Sequence, residues 1–174
     1  MNNRNIISLG LALLIVFALS LSASAYSLMT AGYADPDIDY KSDSNVNSIY
    51  KYAMSYAMNS WNDASCDCTV SSSTGSANYL ETYSTSTTTY GKYTPLALID
   101  QSTHRATWFK ISFNSNYWPS MSLNSRNSVA VHEIGHAMSL NDLSSGTAIM
   151  NNNRNRELIH DPQTDDINGV NASW

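Results

Sequence analysis

The apolar positions of the chain change their period several times, and each change predicts an element. Ile6 to Leu21 is a nearly unbroken apolar run, preceded by Arg4 and followed by Ala23-Ser24-Ala25, which is the layout of a signal peptide cleaved after Ala25. Residues 37–41 read as a short strand leading into a polar turn, where Asp43 or Ser44 can cap a helix. Val46, Ile49, Tyr50, Ala53, Ala57 and Trp61 then recur every third or fourth position, the stripe of a helix of about four to five turns. Residues 68–94, rich in Ser, Thr, Tyr and Gly, predict irregular strands or a long exposed hairpin. Residues 96–100 and 107–113 read as strands, the second with Phe109, Ile111 and Phe113 alternating against Trp108, Lys110 and Ser112.

Residues 114–127 read as a loop broken by Pro119. A second helix starts at Asn127 or Ser128 and carries Val129, His132, Glu133, His136 and Leu140 at helical spacings. Turns follow Asp142. Thr164 is the expected cap of a closing helix, with Asp165 and Asp166 at its positive end and Ile167, Val170 and Trp174 as its apolar stripe.

Composition narrows the function. A chain of 174 residues, 43% hydrophobic, has length for one domain, so the organisation expected is 1–25 signal peptide and 26–174 a single folded unit. Its net charge is −5, without a Lys/Arg cluster or a phosphate-cradling glycine loop, so the reading is no nucleic acid and no stable membrane association after signal cleavage. A charged fraction of only 13% suits a secreted, extracellular protein. Cys66 and Cys68 stand one residue apart. A disulfide across so short a ring is strained, so free thiols, an intermolecular bridge and soft-metal binding stand beside it, and a local redox or structural feature is the favoured reading.

The chemistry concentrates in HEIGHAMSLND, residues 132–142. HExxH on a helix sets two imidazoles one turn apart, so His132 and His136 can face one ion while Glu133 reaches a water in its open position. Val129 and Leu140 bury that face, where unliganded polar groups would be costly to desolvate. Asp142 is a hard oxygen donor where the chain turns back from the helix end, and three protein ligands plus water describe a catalytic rather than a structural zinc. The expected metal ligands are therefore His132, His136 and Asp142, and the expected catalytic residue is Glu133.

HEIGHAMSLND resembles the zinc signature of the metzincin peptidases, in particular the matrixin group, in the Asp-ending form of snapalysin-type enzymes. Thr147-Ala148-Ile149-Met150 is similar to that family's methionine turn, TDDINGVNASW to its closing helix, and VNSIYKYAMSYAMNSW to its first helix. The resemblance implies an α+β, zincin-like fold: a twisted mixed sheet, mostly parallel with an antiparallel edge, an active-site helix beneath a cleft and a C-terminal helix. It implies that residues 26–174 form a matrixin-like metallopeptidase catalytic domain with Met150 packing beneath the metal. The activity implied is a secreted zinc-dependent endopeptidase that hydrolyses peptide bonds by a zinc-bound water activated by Glu133. Its partner is a protein or peptide substrate lying extended along a sheet edge, supplied by 96–100 or 107–113.

The alternative is a secreted non-catalytic binding module retaining the metzincin fold, against which the presence of Glu133 weighs. Calcium binding, the oligomeric state and the oxyanion partner, for which Tyr117 is one of several tyrosines, are left open by the sequence. Three features depart from the family pattern. Ser139 stands where the family has glycine, with Asn141 as a residue that could share the turn; the third ligand is Asp142; and no propeptide cysteine switch is visible. A rival metal set using Glu157 with Asp161 ranks low, because Pro162 and the asparagine-rich segment before it oppose a helix there. His104 and His160 sit at no ligand spacing and read as surface or hydrogen-bonded histidines.

Overall fold

The computed structural model of the protein describes residues 26–98 and 105–174; the expected signal peptide, residues 99–100 of the expected strand and His104 lie outside them. Five strands form one mixed sheet in the order β2-β1-β3-β5-β4. They are β1 (Asp37–Ser42), β2 (Thr69–Ser72), β3 (Tyr79–Tyr83), β4 (Gly91–Leu98) and β5 (Ala106–Asn114). Three helices accompany them, α1 (Ser48–Asp63), α2 (Leu123–Ala137) and α3 (Thr164–Asn171), with a short 3-10 turn at Trp118–Ser120. The chain is thus a mixed α+β protein.

The first half is a β-α-β unit. β1 runs parallel to β2, with Ile38 opposite Val70 and α1 as the crossover. Of the stripe predicted for α1, Tyr50, Ala53, Ala57 and Trp61 are buried and Ile49 is half-buried, while Met54, outside that stripe, is buried with them. Its cap is Asn47, whose side chain accepts from Ile49 N at 2.8 Å, rather than Asp43 or Ser44. Any of these short polar residues can cap, and the one at the last extended residue before the helix does so.

Of the two readings of 68–94, short strands form and the long exposed hairpin is corrected. β2 and β3 both join the sheet in parallel, on opposite edges of β1. Buried Asn78 makes that join by bonding two strands: its Nδ2 donates to Asp39 O at 2.9 Å and its Oδ1 accepts from Phe109 N at 2.8 Å. β3 then pairs in parallel with β5, Leu80 opposite Ile111. In β5 the predicted alternation holds, with Phe109, Ile111 and Phe113 all in the core.

β4 spans Gly91–Leu98, starting five residues before the expected strand at 96–100, and pairs antiparallel to β5, Gly91 opposite Phe113 and Leu96 opposite Trp108. The antiparallel edge that the sequence left unassigned is therefore β4. Pro95 within it lacks an N–H, which an edge strand tolerates. Helix α2 starts four residues earlier than Asn127, capped by Ser122, whose Oγ accepts from Ser125 N at 3.1 Å. The closing helix is capped one residue before Thr164: Gln163 N donates to Asp166 Oδ2 at 2.8 Å.

α1 and α2 are tied by Trp61, whose indole Nε1 donates to Val131 O at 2.9 Å inside the core. Cys66 and Cys68 form a disulfide between the end of α1 and the start of β2, so the reading that set a disulfide beside free thiols resolves to the bonded form.

Candidate metal centre

The site is built where α2 ends. From Asn127 to Ala137 every residue of α2 except His136 is buried, so the helix runs through the protein interior rather than along its surface. Its exit is a left-handed cap: Ser139 N donates to His136 O and Leu140 N to Gly135 O, each at 3.0 Å, with Ser139 at φ 69°. The residue standing in place of glycine therefore does adopt the glycine conformation, and Asn141 does not share it. Three backbone bonds from the N-terminal segment clamp this turn. Met29 N donates to Ser139 O, Tyr33 N to Ala137 O and Asn141 N to Ser27 O, at 2.8, 2.8 and 2.7 Å.

Released from the clamped turn, Asp142 folds back over the helix. Its Oδ1 lies 3.2 Å from His132 Nε2 and 3.5 Å from His136 Nε2. Ligand atoms of the three residues all fall within 4.8 Å of one another, so the structure gathers the three predicted ligands into one cluster. The other ring nitrogens face backbone carbonyls, His132 Nδ1 at 3.0 Å from Ile149 O and His136 Nδ1 at 2.9 Å from Leu140 O. A carbonyl only accepts, so each contact is made by a protonated Nδ1, and each Nε2 is left with its lone pair toward the cluster. Arg154 Nη1 also lies 3.2 Å from His132 Nδ1; a guanidinium only donates, so that contact excludes the carbonyl bond, and the shorter carbonyl contact sets the ligating tautomer.

Electrostatics agree with a cation site. The close approach of His132, and then of His136, holds the Asp142 carboxyl down at about 2 against the opposing effect of burial. Burial lowers the His136 pKa, which keeps its imidazole neutral and available as a ligand. Two imidazole nitrogens and one carboxylate are a donor set that fits zinc.

Met150 lies under the helix as expected: a methyl on Gly135 would stand 2.5 Å from its sulfur. Asp166, almost fully buried, holds the turn that carries it, accepting from Ile149 N at 2.7 Å and Met150 N at 3.3 Å. Burial raises the pKa of this carboxyl, and the three backbone N–H groups it accepts from act against that rise.

The cluster lines a cleft of about 420 Å³ shared by edge strand β4 and helix α2, with Arg154 and Arg156 also in its lining. Glu133 lines it, 5% exposed, close against Gly91, where an added Cβ would fall 2.6 Å from Glu133 Oε1.

The remaining expected residues sit elsewhere. Glu157 Oε1 accepts from Ser122 Oγ at 2.5 Å and Ser125 Oγ at 2.7 Å, fastening the loop to the start of α2, so it is no member of the cluster. Asp161 accepts from Tyr56 and Ser60. Tyr117 donates its hydroxyl to Ser86 O at 2.7 Å. Sequence reasoning missed Gly91, Asn114 and Arg154, and it placed Asp166 only at the positive end of the closing helix. Asn114 is wholly buried, and its Nδ2 donates to Thr85 O and Thr89 O at 3.0 Å, shaping the loop that leads into the cleft wall. Spacing offered no signal for these, because each acts across the fold.

No known family profile matches the chain, and no curated protein matches it. Among solved structures 29 chains match. One belongs to a structure described as the GM1 bound form of the ECX AB5 holotoxin, with a TM-score of 0.60 and 14% sequence identity over 86% of this chain and 88% of that one. At that identity the likeness is one of fold alone.

That description names a bound molecule and an assembly, and it corrects the principal functional expectation. The expectation of a secreted zinc-dependent endopeptidase working through Glu133 is therefore not retained. The physical reason is that ligating side chains below an open cleft capture a ligand whether or not a bond in it is cut. Glu133 packed against Gly91 closes the cleft wall, a use that needs no turnover.

Proposed function

We propose that the chain is a secreted binding module on a zincin-like scaffold, holding a zinc ion through His132, His136 and Asp142 and receiving an extended ligand along β4. The observation that carries this is the convergence of both Nε2 atoms on Asp142 Oδ1, with each Nδ1 committed to a carbonyl. Histidines held so are oriented ligands rather than satisfied core residues. A zinc ion bound there supplies an electropositive acceptor for a ligand oxygen. β4 has a strand partner on one side only among the described residues, which leaves its outer backbone groups open to pair with an added strand.

The test is elemental analysis of the secreted mature protein, wild type beside Asp142→Ala, together with a casein digest of wild type beside Glu133→Ala. Stoichiometric zinc in the wild type, lost or weakened in Asp142→Ala, and no Glu133-dependent cleavage are the expected results. Absence of zinc from the wild type overturns the metal site. Casein cleavage abolished by Glu133→Ala overturns the binding module in favour of an enzyme.

A further inference from the structure

We infer that Arg156 forms an anion-accepting subsite on the cleft wall, which receives a carboxylate carried by an extended peptide lying along β4. The inference rests on the binding function proposed above and names its ligand class.

The cleft holds three cationic side chains, Lys92, Arg154 and Arg156, against two carboxylates, Glu133 and Asp142. Their commitments differ. Asp142 is engaged by the two imidazoles, and Glu133 is packed against Gly91. Arg154 is a structural cation: its Nε donates to Ser128 Oγ at 2.9 Å, Nη2 to Ser128 O at 2.8 Å and Nη1 to Asn151 O at 3.0 Å.

Arg156 has no such commitments. Its guanidinium carbon stands 4.9 Å from the centre of the Tyr90 ring, and its Nε is buried without a hydrogen-bond partner. Among the described residues, no carboxylate lies within ion-pair distance of it. A desolvated donor on a charged group is costly to leave unmade, by about 1–3 kcal/mol or more, so this one is poised to gain from a ligand. A guanidinium resting on an aromatic face keeps its in-plane N–H groups for a planar partner, and a carboxylate meets that fork with two parallel bonds.

Position selects the carrier. Tyr90 adjoins β4, and Lys92 on β4 is exposed in the same cleft, so the strand that would pair with a peptide backbone also flanks the cation. An added strand sends alternate side chains to one face, which brings one of them toward Arg156. Cations gathered in a cleft of a chain whose net charge is −5 concentrate positive potential at one place.

Fluorescence anisotropy on the zinc-loaded mature protein tests this with short Ala/Thr peptides, acetylated and amidated, carrying Glu or Gln at one scanned position. A third set carries Gln and a free terminal carboxylate. The wild type is expected to prefer a carboxylate peptide over its amide counterpart by about tenfold, the ratio that roughly 1.4 kcal/mol represents. Arg156→Gln should abolish the preference, and Arg156→Lys should keep part of it, with zinc stoichiometry unchanged in both. A shift in preference, rather than in overall affinity, separates recognition from a packing effect. Which carboxylate set is favoured assigns the charge to a side chain or to a chain end. Equal binding of charged and neutral peptides by zinc-loaded wild type overturns the subsite and leaves the binding module standing. No peptide bound with zinc in place overturns the subsite alone, and neither peptide nor zinc bound overturns both.

Discussion

Gly32→Ala perturbs the clamp that brings Asp142 to the histidines. A methyl built on Gly32 meets Ser139, with the Cα of that residue 2.6 Å away and its Oγ closer still. Cα is backbone, held at φ 69° in the helix exit, so no rotamer change relieves the contact. Opening it from 2.6 Å to an ordinary 3.4 Å needs a shift of about 0.8 Å. That shift draws on the Met29 N to Ser139 O and Tyr33 N to Ala137 O bonds, both 2.8 Å. Overpacking of this kind costs about 1–3 kcal/mol and a weakened backbone bond about 1 more, so the expected loss is roughly 2–4 kcal/mol. Urea unfolding of the metal-free protein, followed by tryptophan fluorescence, reads it directly. Thermal unfolding should fall by roughly 2–4 °C for each kcal/mol lost. Gly75→Ala is the control, because its added methyl meets only Ser73 Oγ, at 3.9 Å, and should change stability by less than about 0.5 kcal/mol. A Gly32→Ala protein as stable as the control, with an unchanged m-value, would refute the claim that close approach of the N-terminal segment sets the turn.

Asp166→Ala strands the buried N–H groups of Ile149 and Met150 and the half-buried one of Gln163; a loss of about 3 kcal/mol or more in urea unfolding, with weaker zinc binding, is expected. Glu81 stands 2.9 Å from Lys110 and accepts from Ser112 at 2.7 Å. Burial pushes the pKa of its carboxyl up, but these bonds outweigh it and the pKa is lowered. Because the folded value is depressed, the contribution to stability is present above the ordinary glutamate value and fades as pH falls through the lower folded one. Glu81→Gln should therefore flatten the acid limb of the stability profile while costing about 1 kcal/mol or less at neutral pH, since both partners are partly exposed. Asn114→Ala removes the bonds to Thr85, Thr87 and Thr89 and should raise amide exchange in residues 84–90 well above the rest of the sheet, whereas unchanged exchange there would show that the loop holds itself.

Local pattern made much of this protein legible. The period of α1 named the residues that it buries, and the alternation in β5 named its core face. HExxH with Asp142 named the cluster, because residues one helical turn apart share a face whatever surrounds them. The starts of α1, α2 and α3 were each misplaced, since several neighbouring polar residues could cap and only the path of the incoming chain selects one.

By itself, then, the sequence located the cluster of His132, His136 and Asp142 and the buried faces of α1 and β5, consequences of spacings within a few residues. Tertiary structure alone decided that β2 and β3 enter the sheet in parallel, that β4 is its edge, and that Gly32 and Asp166 hold the helix exit and the methionine turn in place. It also decided that, among the described residues, the Nε of Arg156 at the cleft has no hydrogen-bond partner. These are contacts between segments far apart in the chain, and no local period encodes which distant backbone group a buried side chain meets.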